Sequence, residues 1–117
     1  MQYGFSTPMR GSLANFNDIS HLVLTGEKLG FTTVAVSDHI VVPTKIDSIY
    51  PYNESGEYEG RVSGEYLEQL TTASVIAAIT SKLRILTSVT ILPYRNPVLT
   101  AKILATIDVL SNGRLTV

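Results

Sequence analysis

Residues 83–117, LRILTSVTILPYRNPVLTAKILATIDVLSNGRLTV, carry the reading that decides the fold. Leu83 to Leu92 is a run rich in β-branched residues, as expected of a third strand buried on both faces. Pro93-Tyr94-Arg95 turns the chain, Asn96 is a good helix cap and Pro97 stands where the first helical residue belongs. Leu99, Ile103, Ile107 and Leu110 then recur at helical spacing until Asn112-Gly113 closes the helix, and Arg114 to Val117 begins a fourth strand.

Upstream the same unit repeats. Gln2 to Ser6 reads as a first strand, followed by a polar stretch from Pro8 to Asn17. A first helix carries Ile19, Leu22, Val23 and Leu29 on one stripe, with Asn17 or Asp18 placed to cap its start and Gly30 to end it. Thr32 to Ser37 (TTVAVS) is a second buried strand. A long irregular stretch, Val41 to Gly64, separates it from a second helix over about Glu65 to Ser81, whose stripe is Leu67, Leu70, Ala73, Ser74 and Ala77. Strict β-α alternation of this kind implies right-handed crossovers and a parallel α/β sheet. An open doubly wound sheet and part of an eight-stranded barrel both satisfy it. Neither G-x-G-x-x-G nor G-x-x-x-x-G-K-[ST] is present, which tilts the choice toward the barrel.

Composition narrows the function classes. The chain has 117 residues, a formal charge of -1 and no Cys. That balance argues against a nucleic-acid partner. Absence of Cys excludes a disulfide scaffold, a thiolate metal site and a thiol nucleophile. No basic, apolar leader and no run near the ~20 apolar residues of a membrane span is visible, so a cytoplasmic, membrane-free protein is the default expectation. His21 and His39 come from different elements without carboxylates at ligand spacing, so no metal site is expected.

In either architecture chemistry gathers at the carboxyl ends of the strands. Three places qualify. Ser37-Asp38-His39 ends the second strand, and a histidine there can act as acid, base or ring contact, or the pair can simply cap a loop. Thr87-Ser88-Val89-Thr90 puts hydroxyls late in the third strand, where backbone neighbours could satisfy them. The loop from Val41 to Gly64 is far longer than the usual ~2–6 residues of a βα connection. It holds Tyr50, Tyr52 and Tyr58, side chains suited to a wall against a planar ring, although a solvated insertion reads equally well. Its charges, Lys45, Asp47, Glu54, Glu57, Glu59 and Arg61, sum to -2, so the loop itself is not built to grip an anion. Arg84, opening the third strand at the opposite end, suits a stabilising role.

Two segments resemble a known family. LGFTTVAVSDHIVVP (29–43) and, more specifically, the 83–117 stretch with its P-Y-R-x-P turn and A-K-x-x-A-T-x-D-x-L-S helix are similar to the N-terminal part of the luciferase-like monooxygenase superfamily, in its deazaflavin (coenzyme F420)-dependent oxidoreductase branch. The resemblance covers nearly the whole chain and is weakest from Lys45 to Arg61. It implies a (β/α)8 TIM barrel, here residues 1–117 as one partial domain with the first three βα units and the start of strand 4.

It further implies a flavin or deazaflavin at the strand carboxyl ends, with Asp38 and His39 beside the ring and His39 doing acid–base work. A non-proline cis peptide in the third strand, matched to Ser88-Val89, would back the ring. Hydride transfer between coenzyme F420 and a small organic substrate is the implied activity. An FMN-dependent enzyme using molecular oxygen is the alternative, and a non-catalytic barrel fragment is the third reading. The family's length implies that the isolated chain is a truncated, inactive piece with open sheet edges, and that the complete protein pairs as a dimer.

Overall fold

The computed structural model describes residues 1–43, 45–58 and 66–117. The anticipated helix start at Glu65, and Glu59, Gly60, Arg61 and Gly64 of the long loop, lie outside the described residues.

The elements run β1 (Gly4–Ser6), α1 (Phe16–Lys28), β2 (Thr33–Val36), α2 (Gln69–Ile79), β3 (Arg84–Thr87), a short 3-10 turn (Leu92–Tyr94), α3 (Pro97–Leu110) and β4 (Leu115–Thr116). The four strands form one parallel sheet in the order β1-β2-β3-β4. Register aligns Phe5, Val34, Ile85 and Leu115 in one row, and Ser6, Ala35, Leu86 and Thr116 in the next. Because side chains alternate across a strand, the two rows face opposite ways. The first row belongs to the hydrophobic core, with Ile19 and Val23 of α1, Leu70, Ala73, Ile76 and Ala77 of α2, and Ile107 of α3. All three helices therefore cover the same face. A doubly wound sheet would divide its helices between two faces, so the singly covered sheet, in consecutive strand order, is the arrangement of a barrel arc.

Local chemistry explains most boundaries. α1 is capped by Asn15, whose side chain accepts the Asp18 N–H, rather than by Asn17 or Asp18. Those two residues are already helical, and Asp18 favours the positive end of the first turn instead. Gly30, at φ +88, ends α1 in the left-handed region that other residues adopt only with strain. α2 begins at Gln69 because the Glu68 carboxylate accepts the Thr71 N–H. The α2 face differs from the anticipated stripe: Ser74 is exposed and Ile76 is buried. In α3 Asn96 caps as expected, accepting the Leu99 N–H, and Pro97 follows at the first position. Leu99 and Leu110 are exposed, because α3 is apolar most of the way round and only Thr100, Ile103, Leu104 and Ile107 turn inward.

The largest difference from the anticipated elements lies in the third strand, which leaves the ladder after Thr87 instead of running to Leu92. The Ser88 N–H still reaches the Val36 carbonyl at 2.9 Å. Beyond it, side chains take over what a neighbouring strand would supply. Gln69 Nε2 donates to the Val89 carbonyl, and the Asp38 carboxylate accepts the Ile91 N–H. The Ser88–Val89 peptide is cis, as the resemblance implied.

Two charged side chains brace the amino end of the sheet and its helices. Arg114 donates to the carbonyls of Ala77, Thr80, Leu83 and Ser111, the last at 2.7 Å. Glu27 accepts the N–H groups of Ser81, Lys82 and Leu83, tying α1 to the turn before β3. Arg84 donates to Thr116 Oγ1 across β3 and β4.

Candidate functional site

The carboxyl ends of β2 and β3 converge with the long loop and the segment just before α2. His39, three residues past β2, lies between two tyrosines. Its Nε2 is 3.0 Å from the Tyr58 hydroxyl, the two rings stack with centroids 5.8 Å apart, and the Tyr66 ring approaches at 4.5 Å. Tyr66 is itself held by a 2.9 Å hydrogen bond with Ser37 Oγ and by the bridge of its backbone to Arg10. His39 Nδ1 is buried and has no hydrogen-bond partner among the described residues. A buried ring nitrogen without a partner is costly unless something else completes it.

Loop tyrosines extend this cluster. Tyr50 packs on Tyr58 at 5.2 Å and on Tyr52 at 5.4 Å, and the Arg10 guanidinium lies 5.5 Å from the Tyr58 ring centre. Burial pushes the Tyr58 phenol above its ordinary pKa, helped by Tyr66 and opposed by Arg10. The phenol thus keeps its proton at neutral pH and remains a hydrogen-bond donor.

Asp38 is placed differently from His39. Its side chain is 1% exposed, and both oxygens are engaged within the protein: Oδ1 accepts from Arg95 Nη2 and Oδ2 from the Ile91 N–H, each at 2.9 Å. Arg95 Nη1 also donates to Glu68 Oε1 at 2.9 Å. The Glu68 carboxyl lies below the usual range. Its burial alone would raise it, but N–H groups of Thr71 and Leu70 and the Arg95 guanidinium outweigh that. For Arg95, burial lowers the pKa while Glu68 and Asp38 hold it up, and the partners win. This Asp38–Arg95–Glu68 chain ties the end of β2, the segment after β3 and the start of α2 into one unit.

Ser88 and Val89 follow directly on β3, at the carboxyl end of the sheet that His39 also occupies. Val89 is 73% exposed, and Ile40, Val41 and Leu92 add exposed apolar surface nearby in the chain, at the same end of the sheet. Gln69, fully buried, holds the segment from below: its Nε2 donates to the Val36 carbonyl at 2.8 Å, and its Oε1 accepts from Thr90 Oγ1 at 2.9 Å. Of the four residues singled out late in the third strand, Thr90 is satisfied by a side chain rather than by backbone, while Thr87 Oγ1 is buried without a partner among the described residues.

Sequence reasoning missed Tyr66, Glu68, Gln69 and Arg95 as members of this region. A polar residue inside an apolar helix, Gln69, and an arginine inside a turn, Arg95, were the available signals. His21 is exposed on α1, away from the strand ends. Among the described residues no three His, Asp or Glu side chains gather as a metal-binding group, and no helix is long and apolar enough to cross a membrane.

With this geometry in view, comparison with known proteins is informative. A family profile described as luciferase-like monooxygenase matches residues 1–117. An uncharacterised protein of Mycobacterium tuberculosis is 28% identical over 104 residues, covering 89% of this chain and 36% of that protein. A second one from the same organism is 30% identical over 91 residues, covering 78% and 32%. The chain thus spans about a third of the length of these relatives. Among solved structures, the monooxygenase RslO1 of Streptomyces bottropensis superposes with a TM-score of 0.66 over 100% of this chain and 32% of its own, at 24% identity.

Proposed function

The chain belongs to the luciferase-like monooxygenase family, and from that membership we propose that it forms part of a (β/α)8-barrel oxidoreductase that acts with coenzyme F420 on a small organic substrate at the carboxyl ends of its strands. The observation that carries this reading is His39, held by Tyr58 and Tyr66, with a buried Nδ1 that has no partner among the described residues.

The residues present fit a planar heterocycle. Such a ring has apolar faces and a polar rim, and the strand ends offer the exposed Val89 side chain and the His39 imidazole. His39, Ser88 and Val89 would hold the ring, which when bound supplies a carbon that gives or takes a hydride.

The chain's own residues supply positioning and a proton. His39 is the group that gives or takes a proton on the substrate, with its orientation set by the Tyr58 hydroxyl on Nε2 and the Tyr66 ring against its face. Asp38 positions rather than touches. Its carboxylate fixes the Ile91 N–H, and with it the segment from Ser88 onward. Gln69 clamps that segment from the other side.

Titrating the protein with coenzyme F420 and with FMN, while recording ring absorbance and fluorescence, tests the proposal. Quenching of F420 is expected. His39→Gln should lower turnover by about 10²–10⁴ while changing cofactor affinity far less. The monooxygenase description of the family and of RslO1 supports a second reading, an FMN enzyme that consumes oxygen. Retention of FMN with oxygen uptake would establish it in place of the first. Silence with both cofactors would leave a non-catalytic barrel segment.

A further inference from the structure

Arg10, Tyr50, Tyr52, Asn53 and Tyr58 line a cleft of about 230 Å³ beside His39. We propose that this cleft is an oxyanion subsite that takes the carboxylate of a planar, aromatic ligand and delivers the ligand's ring toward His39.

The donor chemistry points one way. Arg10 contributes a permanent cation with up to five N–H donors. It lies over the Tyr58 ring and enters no ion pair among the described residues. Asn53 Nδ2 is already committed to the Glu57 carbonyl, so it shapes the wall without competing for the ligand. The Tyr50 and Tyr52 phenols bring hydroxyls that can donate, that of Tyr58 being held to His39 Nε2, and the mutually inclined rings, 5.2 and 5.4 Å apart, offer π surface. A guanidinium above aromatic faces is the setting in which a flat acid binds through both its charge and its ring.

The cleft is also fastened to the candidate catalytic group. Tyr58 forms its floor and holds His39 Nε2 at 3.0 Å. The Arg10 backbone bridges to Tyr66, whose ring lies 4.5 Å from that of His39, and the Met9 carbonyl accepts the Leu67 N–H at 2.9 Å. The loop after β1 is thereby stitched to the segment before α2, and Arg10 cannot drift from the imidazole without breaking that stitch. Calling the ligand a substrate rests on the oxidoreductase reading above. Its binding does not.

Benzoate is the direct probe, with benzyl alcohol as its neutral counterpart and inorganic phosphate as the rival oxyanion. The chain has six Tyr and no Trp, so ring-labelled tyrosine gives few, resolvable NMR signals. Benzoate is expected to shift the rings of Tyr50, Tyr52 and Tyr58, and benzyl alcohol to leave them. Arg10→Gln should weaken benzoate at least tenfold. Tyr52→Ala, made at an exposed rim position that the fold does not use, should weaken it severalfold. Equal binding of benzoate and benzyl alcohol would overturn the proposal, as would unchanged affinity in Arg10→Gln. Shifts produced by phosphate but not by benzoate would also overturn it, assigning the cleft to a phosphate group. Cofactor titration at visible wavelengths is read independently, so loss of benzoate binding with cofactor binding intact sinks this proposal alone.

Discussion

Replacing Arg95 should show how much of the fold hangs on the charged chain beneath the site. Arg95 is 10% exposed and meets an Asp38 side chain that is 1% exposed at 2.9 Å. At an effective dielectric of ~20, two unit charges at that distance attract by about 6 kcal/mol. Taking each ion out of water costs several kcal/mol, so the intact pair is close to neutral in net terms. Arg95→Met upsets that balance, because Asp38 stays buried with only the Ile91 N–H to stabilise it. Breaking such a pair costs about 3–5 kcal/mol. The contact to Glu68 adds at most about 1 kcal/mol, since that carboxylate is 43% exposed and screened by water. Urea denaturation followed by circular dichroism should therefore give a loss of about 3–5 kcal/mol for Arg95→Met. The pair Asp38→Asn with Arg95→Met should cost less than Arg95→Met alone, because the stranded charge is gone while the amide oxygen still accepts from Ile91. A double variant less stable than the single one, or a single loss below about 1 kcal/mol, the level of an exposed pair, would refute the buried-charge reasoning.

Two further changes probe the frame behind the site. Burial of Glu27 opposes its charged form, but the backbone N–H groups of Lys82, Leu83 and Ser81 outweigh it and lower its pKa. The stability it contributes is complete above the unfolded carboxyl value of about 4.3 and is lost as pH falls through the lower folded value. Acid unfolding should consequently begin at higher pH in Glu27→Gln than in the wild type, with stability falling less steeply below the unfolded carboxyl value because one fewer proton is taken up on unfolding, and identical acid limbs would count against the contact. Gly26→Ala would normally gain helix propensity of about 1 kcal/mol. Here the new Cβ would come within 2.5 Å of the Phe5 ring, which already meets Phe31 edge-on, so a net loss of about 1–3 kcal/mol is expected. Restoration by a smaller partner, Phe5→Leu, is the check; a thermal scan showing Gly26→Ala at or above wild type would remove the steric account.

What was legible in the sequence was local. Asn96-Pro97 and Asn112-Gly113 bracket α3 because capping and left-handed closure are decided within a few residues, and both were placed from the sequence. Thr33–Val36 was recognisable because Thr33, Val34 and Val36 are β-branched residues that favour an extended backbone, although only one face of the strand is buried under the helices. The same rule misled at Val89-Thr90-Ile91. These residues have the composition of a strand, but their backbone is bound by Gln69 and Asp38, 20 and 53 residues away in sequence. Nothing in a period-two pattern distinguishes a backbone paired by a strand from one paired by side chains.

The same distinction separates the parts of the candidate site. Its position followed from a general rule, that chemistry gathers at strand carboxyl ends, and Ser37-Asp38-His39 falls there by simple counting. The division of labour between Asp38 and His39 could not follow from counting, because adjacent residues on an extended segment point opposite ways. Asp38 turns inward to Arg95, and His39 turns to the tyrosines of a loop whose length announced a role without giving its geometry. Two neighbours read from the sequence as one motif are thus held by different partners. The buried one is paired with Arg95, and the other keeps a ring nitrogen with no partner among the described residues. Perturbing Arg95 should therefore move stability first, whereas Tyr58→Phe, which removes the hydroxyl on Nε2, should loosen the orientation of the His39 ring first.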